Sequence, residues 1–136
     1  MFNFFHKNDR LSAAVIFVDF EHWTILLSNL FGLRPNVQGF YDTVSKRFSV
    51  KKIMVFGDFS NDILNTEKDR WNDIPCEIID TQNESLYKKD LTDFVMLDAI
   101  YRQVQSDKQC KNYILFTGDG HFSYASKYLR EQKKNV

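Results

Sequence analysis

Several things are scarce in this chain. It holds two cysteines, two prolines and five glycines among 136 residues. Cys76 and Cys110 are too few for a disulfide framework. They lack CxxC spacing and a nearby histidine pair, so they read as free thiols in a reducing cytoplasm. With so little glycine and proline there is no linker, and no repeat or low-complexity stretch interrupts the chain. No run of about eighteen apolar residues exists, so no transmembrane span is expected. The opening MFNFFHKNDR has no basic region followed by a long apolar stretch, and does not read as a signal peptide. Excess charge is also missing. Eighteen Lys and Arg balance eighteen Asp and Glu, which excludes a whole-surface basic footprint and leaves nucleic acid only local patches. No glycine-rich phosphate cradle follows the first apolar run, which argues against a P-loop or dinucleotide enzyme.

Aromatic residues are abundant: thirteen Phe, six Tyr and two Trp supply a sizeable core for one domain over 1–136. Residues 1–11 read as an N-terminal extension. The abrupt end at Lys133-Lys134-Asn135-Val136 suits a longer natural chain. Buried strands are expected over 13–18 (AAVIFV), 52–57 (KIMVFG), 76–79 (CEII) and 112–117 (NYILFT). Helices are expected over 22–31, stopped by Gly32, then 36–49 with Asn36 as N-cap, 61–72, 90–105 and 121–134. Apolar strands without alternation, separated by helices, predict a mainly parallel sheet of at least four strands. Helices cover both faces, giving an α/β, Rossmann-like three-layer sandwich.

Each expected strand is followed by an acid: Asp19, Asp58, Asp80, and Asp119 in Thr117-Gly118-Asp119. Ligands of open α/β sheets sit beyond the carboxyl ends of the strands. Asp after a strand also caps helices and closes turns, and Asp80 before Thr81-Gln82-Asn83 looks most like a turn residue. For Asp19 and Asp119 together, function is the better account. Clustered carboxylates repel, and a hard divalent cation, Mg²⁺ or Mn²⁺, resolves that conflict.

At about 100° per residue along 91–104, Leu97, Ile100, Tyr101 and Val104 share one arc expected to face the sheet. Asp93 falls inside it, Asp98 at its flank, and Thr92 points away. Asp93 reads either as a fifth acid of the edge or as the N3 partner of an N-cap at Asp90. Asp98 reads as a supporting acid or a solvated residue.

Three stretches together resemble the NYN domain of LabA-like proteins, a branch of the PIN-like nuclease superfamily. They are Val18-Asp19-Phe20-Glu21-His22-Trp23, Thr92-Asp93-Phe94-Val95-Met96-Leu97-Asp98 and Thr117-Gly118-Asp119-Gly120-His121-Phe122. The family's wording there is roughly DxEN, KxxD with a downstream D, and [ST]GDGDF. The resemblance implies metal-dependent hydrolysis of RNA phosphodiesters, with Asp19, Asp93 and Asp119 as catalytic, metal-binding acids. This chain departs in three places. His22 stands for Asn, and His121 for the second Asp. Laying KxxD on Lys89-Asp90-Leu91-Thr92 puts Thr92 where an acid is usual.

Around that triad, Glu21, Asp58, Asp98, Thr117 and His121 are the supporting candidates. Glu21 also suits the helix dipole, and His121 reads better as a solvent-facing residue opening the last helix. Lys88, Lys89 and Lys127 are candidate substrate contacts, and single-stranded RNA the expected partner. Phe20, Trp23, Phe59 and Phe122 sit where they could stack bases, although packing suits them better. A homodimer is a further expectation, with Phe2, Phe4 and Phe5 covering either a neighbour or this core. The main rival is a catalytically weak or inactive PIN-like module that binds RNA or a protein. A phospho-acceptor receiver domain fits poorly, because Gly118-Asp119-Gly120 stands where a Lys is needed.

Overall fold

The computed structural model describes residues 11–82, 91–117 and 122–136. Its elements alternate as expected. Strand β1 (Ala13–Asp19) leads into helices α1 (Phe20–Phe31) and α2 (Val37–Arg47), then strand β2 (Ser49–Gly57). Helix α3 (Asp62–Glu67), a 3₁₀ turn (Lys68–Trp71) and strand β3 (Glu77–Asp80) follow. Helix α4 (Leu91–Ser106), strand β4 (Asn112–Phe116) and helix α5 (Ser123–Glu131) complete the described chain. Among the described residues the sheet is four-stranded and all parallel, in the order β3-β2-β1-β4.

That order puts β1 in the middle, and its composition shows why. Ala14 to Val18 are all fully buried, so both faces of the strand need apolar side chains. Val15 and Phe17 join Met54, Phe56, Met96 and Ile100 under α4 and α5. Ile16 and Val18 join Phe20, Val55, Leu64 and Trp71 under α1, α2 and α3. Each such side chain contributes about 1.5–3 kcal/mol on burial, so these two cores hold the three layers together.

Local signals set the helix ends. The Asn36 side chain accepts from Gly39 N–H at 2.9 Å, and Gly32 closes α1 in the left-handed region at φ 61°. Several boundaries differ from expectation: helix α1 begins at Phe20 rather than 22, and the helix expected over 61–72 is α3 followed by the 3₁₀ turn. Helix α2 stops at Arg47 because Phe48 is extended (φ −136°, ψ 152°), and Ser49 N–H donates to Ser12 O at 2.9 Å. The polar stretch Ser49–Lys52 is therefore strand, although it is largely exposed. Helix α5 is shorter than the expected 121–134. Beyond it the chain turns at Lys133 (φ 63°), and Asn135 pairs in parallel with Asn112 of β4. Among the described residues no helix is long and apolar enough to cross a membrane.

Candidate functional site

Strand order reverses direction between β1 and β4, so the crevice of this sheet lies where both strands end. Asp19 occupies that place and is 4% exposed. One carboxylate oxygen accepts from His22 N–H at 3.0 Å, capping α1, and the other accepts from the Thr117 hydroxyl at 3.3 Å, at the end of β4. One acid thus joins two strand ends and a helix N-terminus, whose dipole favours its charge.

Glu21, in the first turn of α1, is half-buried and reaches across to β2, where Asp58 N–H donates to its Oε1 at 3.2 Å. Gly57 packs closely here: a Cβ there would lie 2.5 Å from Leu64 Cδ2, and at ordinary contact distance from the Glu21 backbone N and Cβ. Burial pushes the Glu21 carboxyl above its ordinary range, and the charges of Asp19 and Asp58 push it further. Hydrogen bonds from the Asp58 backbone and the Thr92 side chain oppose the rise. Glu21, on α1, is thus within electrostatic reach of two further acids, contributed by β1 and the loop after β2.

Thr92 is where the helical wheel fails. Its hydroxyl lies 2.6 Å from that of Thr81, and both residues are buried. The stripe of α4 that faces the sheet is Thr92, Met96, Ile100, Gln103 and Val104, while Tyr101 is 40% exposed. Thr92 turns inward, not away, because its polar atom finds partners in Thr81 and Glu21. Asp93, one residue on, is half-buried at the margin of that stripe.

The other candidates disperse. Asp98 is exposed and accepts from Arg102 Nε at 2.8 Å, about 9 Å along α4 from Thr92 at the helical rise. Asp58 accepts from Ser60 N–H at 3.0 Å, and Asp80 from Phe59 N–H at 3.2 Å and Gln82 N–H at 3.0 Å, so both acids shape the loops that follow their strands. Lys127 is exposed on α5. Lys88, Lys89, Asp119 and His121 lie outside the described residues. Of the four edge aromatics, Phe20, Phe59 and Phe122 are core residues, at most 5% exposed. Trp23 is half-buried, edge-on to Phe116 with centroids 4.7 Å apart. It lines a cleft of about 280 Å³ with Asp19, His22, Leu26, Leu115, Phe116 and Thr117.

The described acids are carboxylates at hydrogen-bonding rather than chelating positions. Among the described residues no three His, Cys, Asp or Glu side chains converge closely enough to hold a metal ion. Mg²⁺ and Mn²⁺ do not require such a cage, since one or two carboxylates with waters and phosphate oxygens complete their shell. Glu21, raised by burial and by two neighbouring acids, gains from any nearby cation, and the hard oxygen donors of Asp19 and Glu21 are of the kind such an ion takes.

No family model matches the chain, and no curated protein matches it in sequence. Among solved structures, it is similar to the crystal structure of a protein of unknown function from Vibrio parahaemolyticus. The TM-score is 0.73 at 15% identity, covering 93% of this chain and 79% of that one. The likeness establishes the fold class: an α/β Rossmann-like sandwich built on a parallel sheet.

Proposed function

We propose that this chain is a Mg²⁺- or Mn²⁺-dependent ribonuclease of the NYN, LabA-like kind, hydrolysing phosphodiester bonds of single-stranded RNA. The observation that carries the reading is Glu21, half-buried at the carboxyl edge of the sheet beside Asp19, its carboxyl raised by burial and then by the charges of Asp19 and Asp58. The order of the three sequence motifs supports it.

Asp19 and Glu21 would hold the ion, joined by Asp93 and Asp119, the acids that the resemblance adds. A divalent ion held by these acids would supply Lewis-acid activation of the phosphate and of a water. Thr117 and the first turn of α1 orient Asp19, while Thr92 and the Asp58 backbone orient Glu21. Both acids are thus placed before substrate arrives. Lys88, Lys89 and Lys127 would meet the RNA backbone. With so few cations and no net charge, affinity should fall only shallowly with salt.

The test is cleavage of mixed-sequence single-stranded RNA with Mn²⁺ by wild type, Asp19→Asn and Asp119→Asn. Loss of cleavage in both variants supports the reading, and equal activity in all three rejects it. His121 in place of the second Asp, with the neutral net charge, supports one alternative, a module that binds RNA or a partner without cutting. That alternative predicts weak Mn²⁺ binding and RNA recovered intact.

A further inference from the structure

Two buried threonines meet behind the candidate site. Thr81 lies just past β3, and Thr92 lies in the first turn of α4. Their hydroxyl oxygens are 2.6 Å apart, so one donates to the other. The neighbouring carboxylate decides which. An ionised Glu21 can only accept, and the Thr92 side chain is hydrogen-bonded to it. Thr92 has a single hydroxyl proton and gives it to Glu21. Its oxygen is left to accept, so the donor within the threonine pair is Thr81.

The chain of bonds closes on itself. Thr81 N–H donates to Gly57 O at 2.9 Å. The other side of that same peptide unit, Asp58 N–H, donates to Glu21 Oε1 at 3.2 Å. A ring of hydrogen bonds therefore runs from Thr81 through Thr92, Glu21 and the Gly57–Asp58 peptide back to Thr81. It ties the ends of β2 and β3 to the first turns of α1 and α4. Both threonines are buried, so water does not compete for these hydroxyls. In such a chain each bond polarises the next, and the outermost donor strengthens the hold on a carboxylate that it does not touch.

We infer that Thr81 is a positioning residue of this site: its hydroxyl, donating to Thr92, turns the Thr92 hydroxyl onto Glu21 and so holds that carboxylate at the edge of the sheet. The ring also fixes the first turn of α4, the turn that carries Asp93. An effect of Thr81 on cleavage rests on the nuclease reading. Its orientation of Glu21 does not.

The Asp58 amide proton, which Glu21 accepts, reports the ring. Nuclear magnetic resonance of the isotopically labelled full chain reads it. Thr92→Val should move that resonance toward its position in Glu21→Ala. Thr81→Val should move it the same way by a smaller amount, and Thr81→Ser should leave it at the wild-type position. The double variant should move it no further than Thr92→Val alone, because Thr81 acts through Thr92. Val55, in the buried part of β2, is the control and should stay in place. Thr81→Ala replaces Thr81→Val if valine prevents folding. An Asp58 resonance that Thr81→Val leaves unmoved overturns the inference, as does an equal displacement in Thr81→Ser. A double variant that adds the two shifts overturns it too, since Thr81 would then act through Gly57. With Mn²⁺ and single-stranded RNA, Thr81→Val should lower kcat about two- to tenfold, the weight of one hydrogen bond. KM should hold, and Thr81→Ser should restore the rate. A wild type that does not cleave overturns the nuclease reading, and the amide resonance still decides the role of Thr81.

Discussion

Two buried acids in this molecule have very different neighbours. Glu67, at the end of α3, is 6% exposed and sits between two guanidinium groups. Arg34 lies at 3.4 Å, and Arg70 three residues on donates to its other oxygen. Its charge is matched by cations from its own neighbourhood, as buried carboxylates in stable proteins usually are. Asp19 is as deeply buried at the switch point of the sheet, where it accepts from His22 N–H and the Thr117 hydroxyl and its charge raises the carboxyl of Glu21. The first arrangement lowers the energy of the fold. The second leaves Glu21 with a cost of ionisation that a nearby cation would lower.

The sharpest way to break this contrast is to neutralise each acid in turn. Asp19→Asn keeps an oxygen for the α1 cap, so its melting temperature should stay near wild type. Its RNA cleavage with Mn²⁺ should drop at least about 100-fold, since the metal contributes several kcal/mol to the barrier. Glu67→Gln should do the reverse. Urea unfolding should show a loss of about 1–3 kcal/mol, at the low end for a broken buried pair because Arg34 is 76% exposed, while cleavage is unchanged. A common outcome for both variants would erase the distinction.

A smaller effect belongs to Glu21. Its carboxyl titrates above its value of 4.5 in the unfolded chain, so the native state binds the extra proton in the interval above that pH. The stability from this group is complete below pH 4.5 and is lost as pH rises through the folded value. Denaturation midpoints across acidic to neutral pH should show this decline in wild type and not in Glu21→Gln. Saturating Mn²⁺ should flatten the wild-type curve by favouring the ionised form. A wild-type curve identical to that of the variant would show that neither burial nor the neighbouring aspartates shift Glu21.

The architecture was readable because its signals are local. A solid apolar run such as Ala14–Val18 has no stable place except a central parallel strand, and Asn36 and Gly32 mark helix ends by their own chemistry. The stripe of α4 was misread because Leu97 and Tyr101 outweigh Thr92 and Gln103 on any apolar scale. Burial there is decided by partners brought from elsewhere: Thr81 follows β3, and Glu21 lies 71 positions before Thr92. A signal did exist. The KxxD alignment puts Thr92 at the position where the family has an acid, and that position faces the other carboxylates. Glu21 owes its shift first to burial and then to the charges of Asp19 and Asp58, and the burial comes from elements distant in sequence.

The double duty of Asp19 has one further consequence. The carboxylate at the crevice is also the group that ties off the first turn of α1 through His22 N–H. Anything that draws electron density from that oxygen loosens the tie. Filling the crevice and relaxing the start of the helix are therefore one thermodynamic event. The amide of His22 should report it directly, as a change in its proton exchange with solvent whenever the pocket fills.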